Sequence, residues 1–463
     1  MDKIIQEVME KIISDNANNL ETLFNEHRDI SQYILKTKEM LDEIGTRLVG
    51  STLEMADEMV MESAWRKNHW YIQRKNDEKS LTTLFGEVKY SRTYYKHKTE
   101  GSYSYLSDEG LGINPHQRMD PSMKAMLIEK ALDLSYKKSG NSVTESVSIS
   151  DQSVMNSIRE LGSIDNSSAR IAETKKKANI LYIEADEDHV PMQDGTNREI
   201  RLVYVHEGIE NIGKNRYELK KTRYFSGEYY RNIEELWLEV AEYLEEAYDM
   251  DNVTKIYLSG DGARWIKEGL GWIKGSMFVL DRFHLSKYIK KATGHMPYVE
   301  PILWNYINQQ NKKHVQDLFK IIIEETESQT KKESIKESRR YILNNWKGIQ
   351  RQYEADYIGC SAEGHVSHIL SARLSSRPKG WSLLGADQMA RLRAYRANKG
   401  NVYDLMLMKQ KKEKKENRIA KLSNKVIKEK LKTPVHEQTE NIAILNIGKR
   451  TWAYEFLKSI RGA

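Results

Sequence analysis

The stretch Asn179-Ile-Leu-Tyr-Ile-Glu-Ala-Asp-Glu-Asp-His189 decides the fold. An apolar run of strand length, 180–185, ends in a cluster of acids, with Asp186 directly after it. Lys255-Ile-Tyr-Leu-Ser-Gly-Asp-Gly-Ala263 repeats the plan, with Asp261 beyond the tip of a second apolar strand and glycines on both sides of it. Those glycines let backbone approach a metal or phosphate closely. A third acid, Glu363, lies in Gly359-Cys-Ser-Ala-Glu-Gly-His365, which reads as the start of a later helix. Two carboxylates at strand ends and a third on a helix suit the capture of two Mg2+ ions, because hard cations take oxygen ligands. Carboxylates so crowded repel one another unless a divalent cation offsets them. Glu184, on the strand face of Asp186, and Asp188, past the expected strand end, compete with Asp186 for the first position. Between the second and third acids, Phe278-Val-Leu-Asp-Arg-Phe-His-Leu-Ser286 sets Asp281 and His284 three apart, aimed at the same edge. There His284 would orient a phosphate, donate a proton to a leaving oxygen or cap a helix.

Outward from these motifs, residues 178–290 alternate strands and helices. Strands at 180–185, 200–204 and 217–225 read as an antiparallel meander. A helix at 233–248, a strand at 253–258, a helix at 264–269, a strand at 277–280 and a helix at 285–291 follow. Three antiparallel strands and then helix-strand-helix-strand is the order of an RNase H-like sheet. The expected catalytic core therefore occupies 178–293, is interrupted by an all-helical insertion at 294–358, and resumes at 359–400 with Glu363 and a basic segment that guides a strand. The fold class expected is multidomain α+β, with a mixed sheet in an RNase H-like α/β domain.

Residues 1–80 read as a helical arm suited to self-association, with Ile4, Ile5, Val8, Met9, Ile12 and Ile13 recurring on one face. At 81–97 the period changes to two and Gly86 marks the turn of a β-hairpin. Helices follow from Pro121, from Tyr136 to Val147 and from Ser150, whose hydroxyl can cap the last of them. The pair resembles a helix-turn-helix, so 81–162 is the expected DNA-binding region, offering Arg92, Gln152, Asn156 and Arg159 to the grooves. Residues 364–400 hold seven Lys or Arg against one acid, Asp387, and 409–432 hold eleven against three. Arg373, Arg377, Lys379, Arg391, Arg393 and Arg396, with Trp381 among them, suit a phosphate backbone and an unstacked base beside Glu363. The basic C-terminal region is 401–463.

Composition narrows the classes further. Net charge is +6 with a pI of about 8.8, so the distribution of charge carries any nucleic-acid argument. One cysteine, Cys360, excludes an intramolecular disulfide and every multi-cysteine zinc site. The amphipathic N-terminus is not a secretory signal, and a cytoplasmic protein without a membrane span is expected. No P-loop, dinucleotide glycine fingerprint or nucleophile elbow is present, so no nucleotide cofactor is expected.

Four segments, in order, carry a resemblance: Tyr-Ile-Glu-Ala-Asp-Glu-Asp-His-Val (182–190), Leu-Ser-Gly-Asp-Gly-Ala-Arg-Trp-Ile (258–266), Leu-Asp-Arg-Phe-His-Leu-Ser-Lys-Tyr (280–288), and Ser-Ala-Glu-Gly-His-Val-Ser-His (361–368) with Ser-Ser-Arg-Pro-Lys-Gly-Trp-Ser (375–382). The chain resembles a bacterial insertion-sequence transposase of the DDE type, most similar to the ISLre-two group and more distantly to Mutator-like enzymes. The resemblance implies Asp186, Asp261 and Glu363 as the triad and two Mg2+ or Mn2+ ions as cofactor. The implied partners are double-stranded DNA, as inverted repeats and target, and further copies of the chain in a homodimer or higher oligomer. Water would attack the phosphodiester at an element end to free a 3′-OH, which would then attack target DNA. A non-catalytic transposase-derived DNA-binding protein, or another RNase H-like nuclease such as a junction resolvase, are the rival expectations.

Overall fold

The computed structural model describes residues 2–25, 30–144, 147–168, 174–214, 216–377 and 380–423 of the 463-residue chain. The protein is multidomain α+β, and two compact units form. One takes the residues up to Ser157 with the chain from Val402, and the other runs Ile158–Asn401.

The first unit opens with helices α1 (Asp2–Asn25), α2 (Ile30–Glu62) and α3 (Ala64–His69), the last capped by the Ser63 hydroxyl, which accepts from the Arg66 N–H at 3.2 Å. Strands β1 (Trp70–Thr83), β2 (Gly86–His97) and β3 (Tyr103–Ser104) make an antiparallel sheet in that order. The hairpin turns at Gly86 as expected, but β1 starts at Trp70, inside the segment read as helix. Residues 73–80 are almost all polar, so their period is faint, and cross-strand pairing with β2 is what extends them. Helices α4 (Leu106–Leu111), α5 (Pro121–Ala131), α6 (Tyr136–Gly140) and α7 (Asp151–Glu160) follow. Helix α6 stops well short of Val147, since the polar residues from Asn141 onward give it no apolar face; residues 145–146 lie outside those described. Ser150 caps α7, accepting from the Ser153 N–H at 3.2 Å. Ala56 and Val60 of α2 bury one face of the hairpin through Tyr95, together with Leu106.

The second unit is built on a five-stranded sheet. Strands β4 (Ile180–Pro191) and β5 (Asn197–His206) precede a separate exposed hairpin of β6 (Ile209–Gly213) and β7 (Arg216–Leu219). Next come β8 (Arg223–Gly227), α8 (Ile233–Ala247), β9 (Lys255–Gly260), α9 (Arg264–Trp272), β10 (Ser276–Leu280) and α10 (Arg282–Thr293). The sheet order is β10-β9-β4-β5-β8. Strands β4, β5 and β8 are antiparallel, whereas β9 and β10 run parallel to β4 and to each other. The third antiparallel strand is thus 223–227 rather than 217–225. Residues 216–218 are exposed and pair with β6 instead.

Strand β4 is also longer than expected. Its pairing with β9 ends at Glu184↔Ser259, but β5 accompanies it as far as Pro191↔Asn197. Asp186 and Asp188 therefore lie within the strand and not past its end. Leu181, Ile183 and Ala185 point into the core, packed with Val203, Phe225, Leu236, Trp237 and Leu258. By the period of two, Glu184, Asp186 and Asp188 share the opposite face.

The expected insertion is helical: α11 (Glu300–Asn308), α12 (Lys312–Glu325), α13 (Gln329–Asn344) and α14 (Trp346–Arg351). Its Val315, Phe319, Ile335, Ile342 and Ile349 belong to the same apolar core as the sheet. Helix α15 (Ala362–Val366), a π-helical turn Ser367–Ser371, α16 (Ala372–Leu374) and α17 (Leu383–Ala397) complete this unit. Helix α18 (Val402–Ser423) returns to the first unit and packs on α5. The rest of the basic C-terminal region lies outside the described residues. No described helix is long and apolar enough to cross a membrane.

Candidate functional site

Continuing the parallel register from Glu184↔Ser259 brings Asp261, just beyond the tip of β9, beside Asp186 of β4, whose carboxyl feels its charge. The approach depends on Gly260: a Cβ there would lie 2.7 Å from the Ala185 carbonyl oxygen and 2.7 Å from Ile266. Gly262, at φ +87°, then turns the chain away into α9. The Asp261 carboxylate accepts from the Ala263 N–H at 2.7 Å, and its backbone carbonyl accepts from the Tyr341 hydroxyl of α13. Asn345, which accepts from Lys267 at 2.7 Å, closes over the same turn.

Burial pushes the Asp186 carboxyl up to about 7. The negative charges of Glu187 and Asp261 add to the rise, while the Glu187 N–H and His284 oppose it. Asp281 caps α10 through the Phe283 N–H at 2.7 Å and meets His284 Nδ1 at 2.8 Å. Burial would lower the His284 imidazole, but the hydrogen bond and charge of Asp281, with the charges of Asp186 and Asp261, raise it. Asp186, Asp261, Asp281 and His284 are therefore gathered as expected. Glu187 was missed: it accepts from Trp265 Nε1 at 2.6 Å, and burial and the Asp261 charge raise it. Tyr341 and Asn345 were missed as well, because no local pattern marks residues recruited from the insertion, and so was Lys267 of α9.

The competitors of Asp186 have other work. Glu184, only 2% exposed, accepts from the Tyr204 hydroxyl and, at 2.6 Å, from the Ser361 N–H, and it meets His206 Nε2 at 2.9 Å. Despite a burial that would raise it, these hydrogen bonds, that of His206 foremost, hold its carboxyl below the ordinary value. Asp188 accepts from the Ser375 hydroxyl at 2.8 Å. Glu184 thereby seats the start of α15 on β4, and Glu363 stands in the first turn of that helix, exposed. Among the described residues no three His, Cys, Asp or Glu side chains are grouped tightly enough to hold a metal ion. Two of the three expected ligands adjoin, and the exposed Glu363 does not complete a cage with them. As a donor set, the buried Asp186 and its neighbour Asp261 are hard oxygens short of positive charge, which fits a divalent cation.

The basic segment is arranged differently from the expectation. Arg373 is buried with its guanidinium 4.9 Å over the Trp381 ring, and Trp381, also buried, donates to the Leu374 carbonyl at 2.9 Å. Arg391 lies 4.5 Å over the Tyr229 ring and bonds Asp387 and the Tyr229 hydroxyl. Arg393 is buried and donates to the carbonyls of Ile369 and, at 2.6 Å, His368. Arg391 and Arg393 clamp α17 to its surroundings, and the helix that carries them is buried along Ala386, Met389, Ala390, Leu392 and Ala394. Arg396 is half-buried, Arg377 is exposed, and Lys379 lies outside the described residues. Arg92 is likewise engaged, paired to Asp108 and 3.5 Å over the Tyr105 ring, so it does not reach outward as expected. Gln152, Asn156 and Arg159 are exposed on α7, with Val154 and Ile158 buried on the other side.

Residues 36–412 match the model of UPF0236, an uncharacterised protein family. A UPF0236 protein of Caldanaerobacter subterraneus subsp. tengcongensis, whose name joins eleven loci, is 42% identical over 98% of each chain. A second from the same strain, whose name joins four loci, is also 42% identical over 98% of each chain. Matched over most of its length by the family model and nearly end to end by these relatives, the chain belongs to the UPF0236 family.

Proposed function

We propose that the chain is a DDE-type transposase of an insertion sequence, which cleaves DNA at the element ends and joins the freed 3′-OH to target DNA. The observation that carries this reading is the nearness of Asp186, on β4, to Asp261, just past the tip of the adjacent parallel strand β9, in a sheet whose first three strands are antiparallel. That strand order is the one expected of an RNase H-like domain. A second support comes from the relatives. A protein encoded at many loci of one genome is what a self-copying element leaves behind, and two of the relatives carry eleven and four loci in their names.

In this reading Asp186 and Asp261 would hold divalent metal, with Glu363 joining them when DNA is bound. Bound Mg2+ or Mn2+ would polarise the phosphodiester and stabilise charge on the attacking and leaving oxygens. His284, raised by Asp281 against its burial, would offer a proton beside the acids, and Lys267, lowered by burial, feels the Asp261 charge. Glu184 holds α15 at its place on β4, and Tyr341 fixes the Asp261 turn. The exposed face of α7 would read inverted repeats through Gln152, Asn156 and Arg159. Exposed Ile13, Phe24, Ile34 and Leu41 on α1 and α2 suit contact with a second copy, since transposition needs two ends held together. The setting would be the cytoplasm, on the nucleoid when DNA is bound. The rival reading, a DNA-binding protein without cleavage, draws on the exposed position of Glu363.

The test is a cleavage assay on labelled duplex made from the DNA flanking the gene, with Mg2+ and with chelator. Metal-dependent nicks at inverted repeats, leaving 3′-OH ends, are the result expected. Flanks without inverted repeats, and no nick under any metal, would overturn the reading.

A further inference from the structure

The antiparallel sheet of the first unit buries one face against α2 and α4 through Tyr95. The other face of such a sheet is ordinarily polar where it meets water. Here it carries tyrosines. The register puts Tyr71 opposite Lys96, Lys96 opposite Tyr103, and Tyr94 opposite Arg74, so all five share that face. The Tyr94 and Tyr103 rings stack with centroids 5.5 Å apart and planes 15° from parallel, and Tyr105 continues the row 4.7 Å from Tyr94. Cations lie over the rings: Arg74 is 4.9 Å from Tyr94, Lys96 is 5.7 Å from Tyr103, and Lys98 is 4.9 Å from Tyr71. Tyr71 is 59% and Tyr103 49% exposed, so about half of each residue is left open to solvent. One acid intervenes, Asp77, which takes Arg74 at 2.9 Å and the Tyr105 hydroxyl at 2.8 Å.

The structure assigns this face as a binding platform for single-stranded DNA. Exposed rings interleaved with cations match a ligand whose bases are free to stack and whose phosphates are free to pair. Duplex DNA keeps its base faces stacked inside and offers them to no ring. An apolar protein surface would find the cations a desolvation cost. The choice of DNA over other single strands rests on the transposase reading, in which cleavage exposes unpaired ends near the protein. The platform would hold such an end through stacking on Tyr71, Tyr94 and Tyr103.

The test uses the full chain and fluorescence anisotropy with labelled oligo(dT), against a duplex of equal length, in chelator. The wild-type chain should bind oligo(dT), and Tyr71→Ala with Tyr103→Ala should weaken that binding at least fivefold per ring, the lower end of what loss of a stacked base brings. Tyr71→Phe with Tyr103→Phe should restore it, since the ring and not the hydroxyl stacks. Lys96→Gln with Lys98→Gln should shallow the salt dependence. Thermal unfolding of each variant should match wild type, since the rings are exposed. Unchanged oligo(dT) affinity in the alanine variant, or binding that oligo(U) wins instead, overturns the platform. The outcome is separable from that of cleavage. A chain that nicks element ends while its alanine variant binds oligo(dT) normally loses the platform alone, whereas tyrosine-dependent binding without any cleavage sinks the transposase reading alone.

Discussion

Strand β4 and helix α17 both look charged in the sequence, yet the structure treats their charges in opposite ways. On α17, Arg393 is buried and Arg391 half-buried, and their donors are met by Asp387, Tyr229 and backbone carbonyls. On β4, Asp186 is buried among Glu187 and Asp261, and burial with their charges raises it to about 7. A buried charge met by partners holds a fold together, whereas a buried charge crowded by its own kind is strained and marks a place where something else belongs. Strand β4 repeats the contrast within itself. Glu184 is met by Tyr204, His206 and Ser361, whereas Asp186, two residues on, accepts from the Glu187 N–H at 2.9 Å with the charges of Glu187 and Asp261 against it.

The comparison can be broken at its partnered members first. Glu184→Ala leaves the buried His206 without its carboxylate and the Ser361 N–H without its acceptor, so a stability loss of about 3–5 kcal/mol is expected in urea unfolding. A loss below 1 kcal/mol would mean that the network is not holding α15. Arg393→Met removes two charge-assisted hydrogen bonds to carbonyls and should cost about 3 kcal/mol. If Arg393→Met unfolds like wild type but loses affinity for all DNA alike, the clamp is the wrong account.

Asp186→Asn should act the other way. Its folded carboxyl is raised, so the folded state binds the proton more tightly than the unfolded chain does. That contribution to stability is present below the ordinary carboxylate range near 4 and is lost as pH rises through about 7. In chelator the variant should therefore gain on wild type across this window, by on the order of 1–3 kcal/mol after solvent screening is allowed for. Parallel stability–pH curves for the two proteins would remove the strain argument. Asn156→Ala with Arg159→Ala, on the exposed face of α7, should change stability by no more than about 0.5 kcal/mol. It should narrow the difference in affinity between inverted-repeat and random duplex, and an unchanged ratio would take α7 out of recognition.

Much of the sheet was legible because apolar runs at 180–185, 256–258 and 277–280 have strand length and are punctuated by acids or glycine. The same acids hid the true length of β4. Glu184, Asp186 and Asp188 on one face imitate a strand end, whereas long pairing with β5 carries the strand to Pro191. Spacing along the chain does not tell a solvated cation from a clamped one, so Arg92, Arg373, Arg391 and Arg393 read as free until their partners were seen. Tyr341 and Asn345 reach the Asp261 turn from a remote helix, and nothing near them in the chain announces it.

The central claim is that Asp186 and Asp261 form a metal-holding pair that cuts DNA. Its most direct test compares strand cleavage at labelled element ends by wild type, Asp186→Ala, Asp188→Ala and Asp261→Asn in Mg2+. The account predicts no detectable cleavage by Asp186→Ala or Asp261→Asn, with end binding intact and with activity retained by Asp188→Ala. Cleavage at the wild-type rate by Asp261→Asn, or its loss in Asp188→Ala but not in Asp186→Ala, would contradict it.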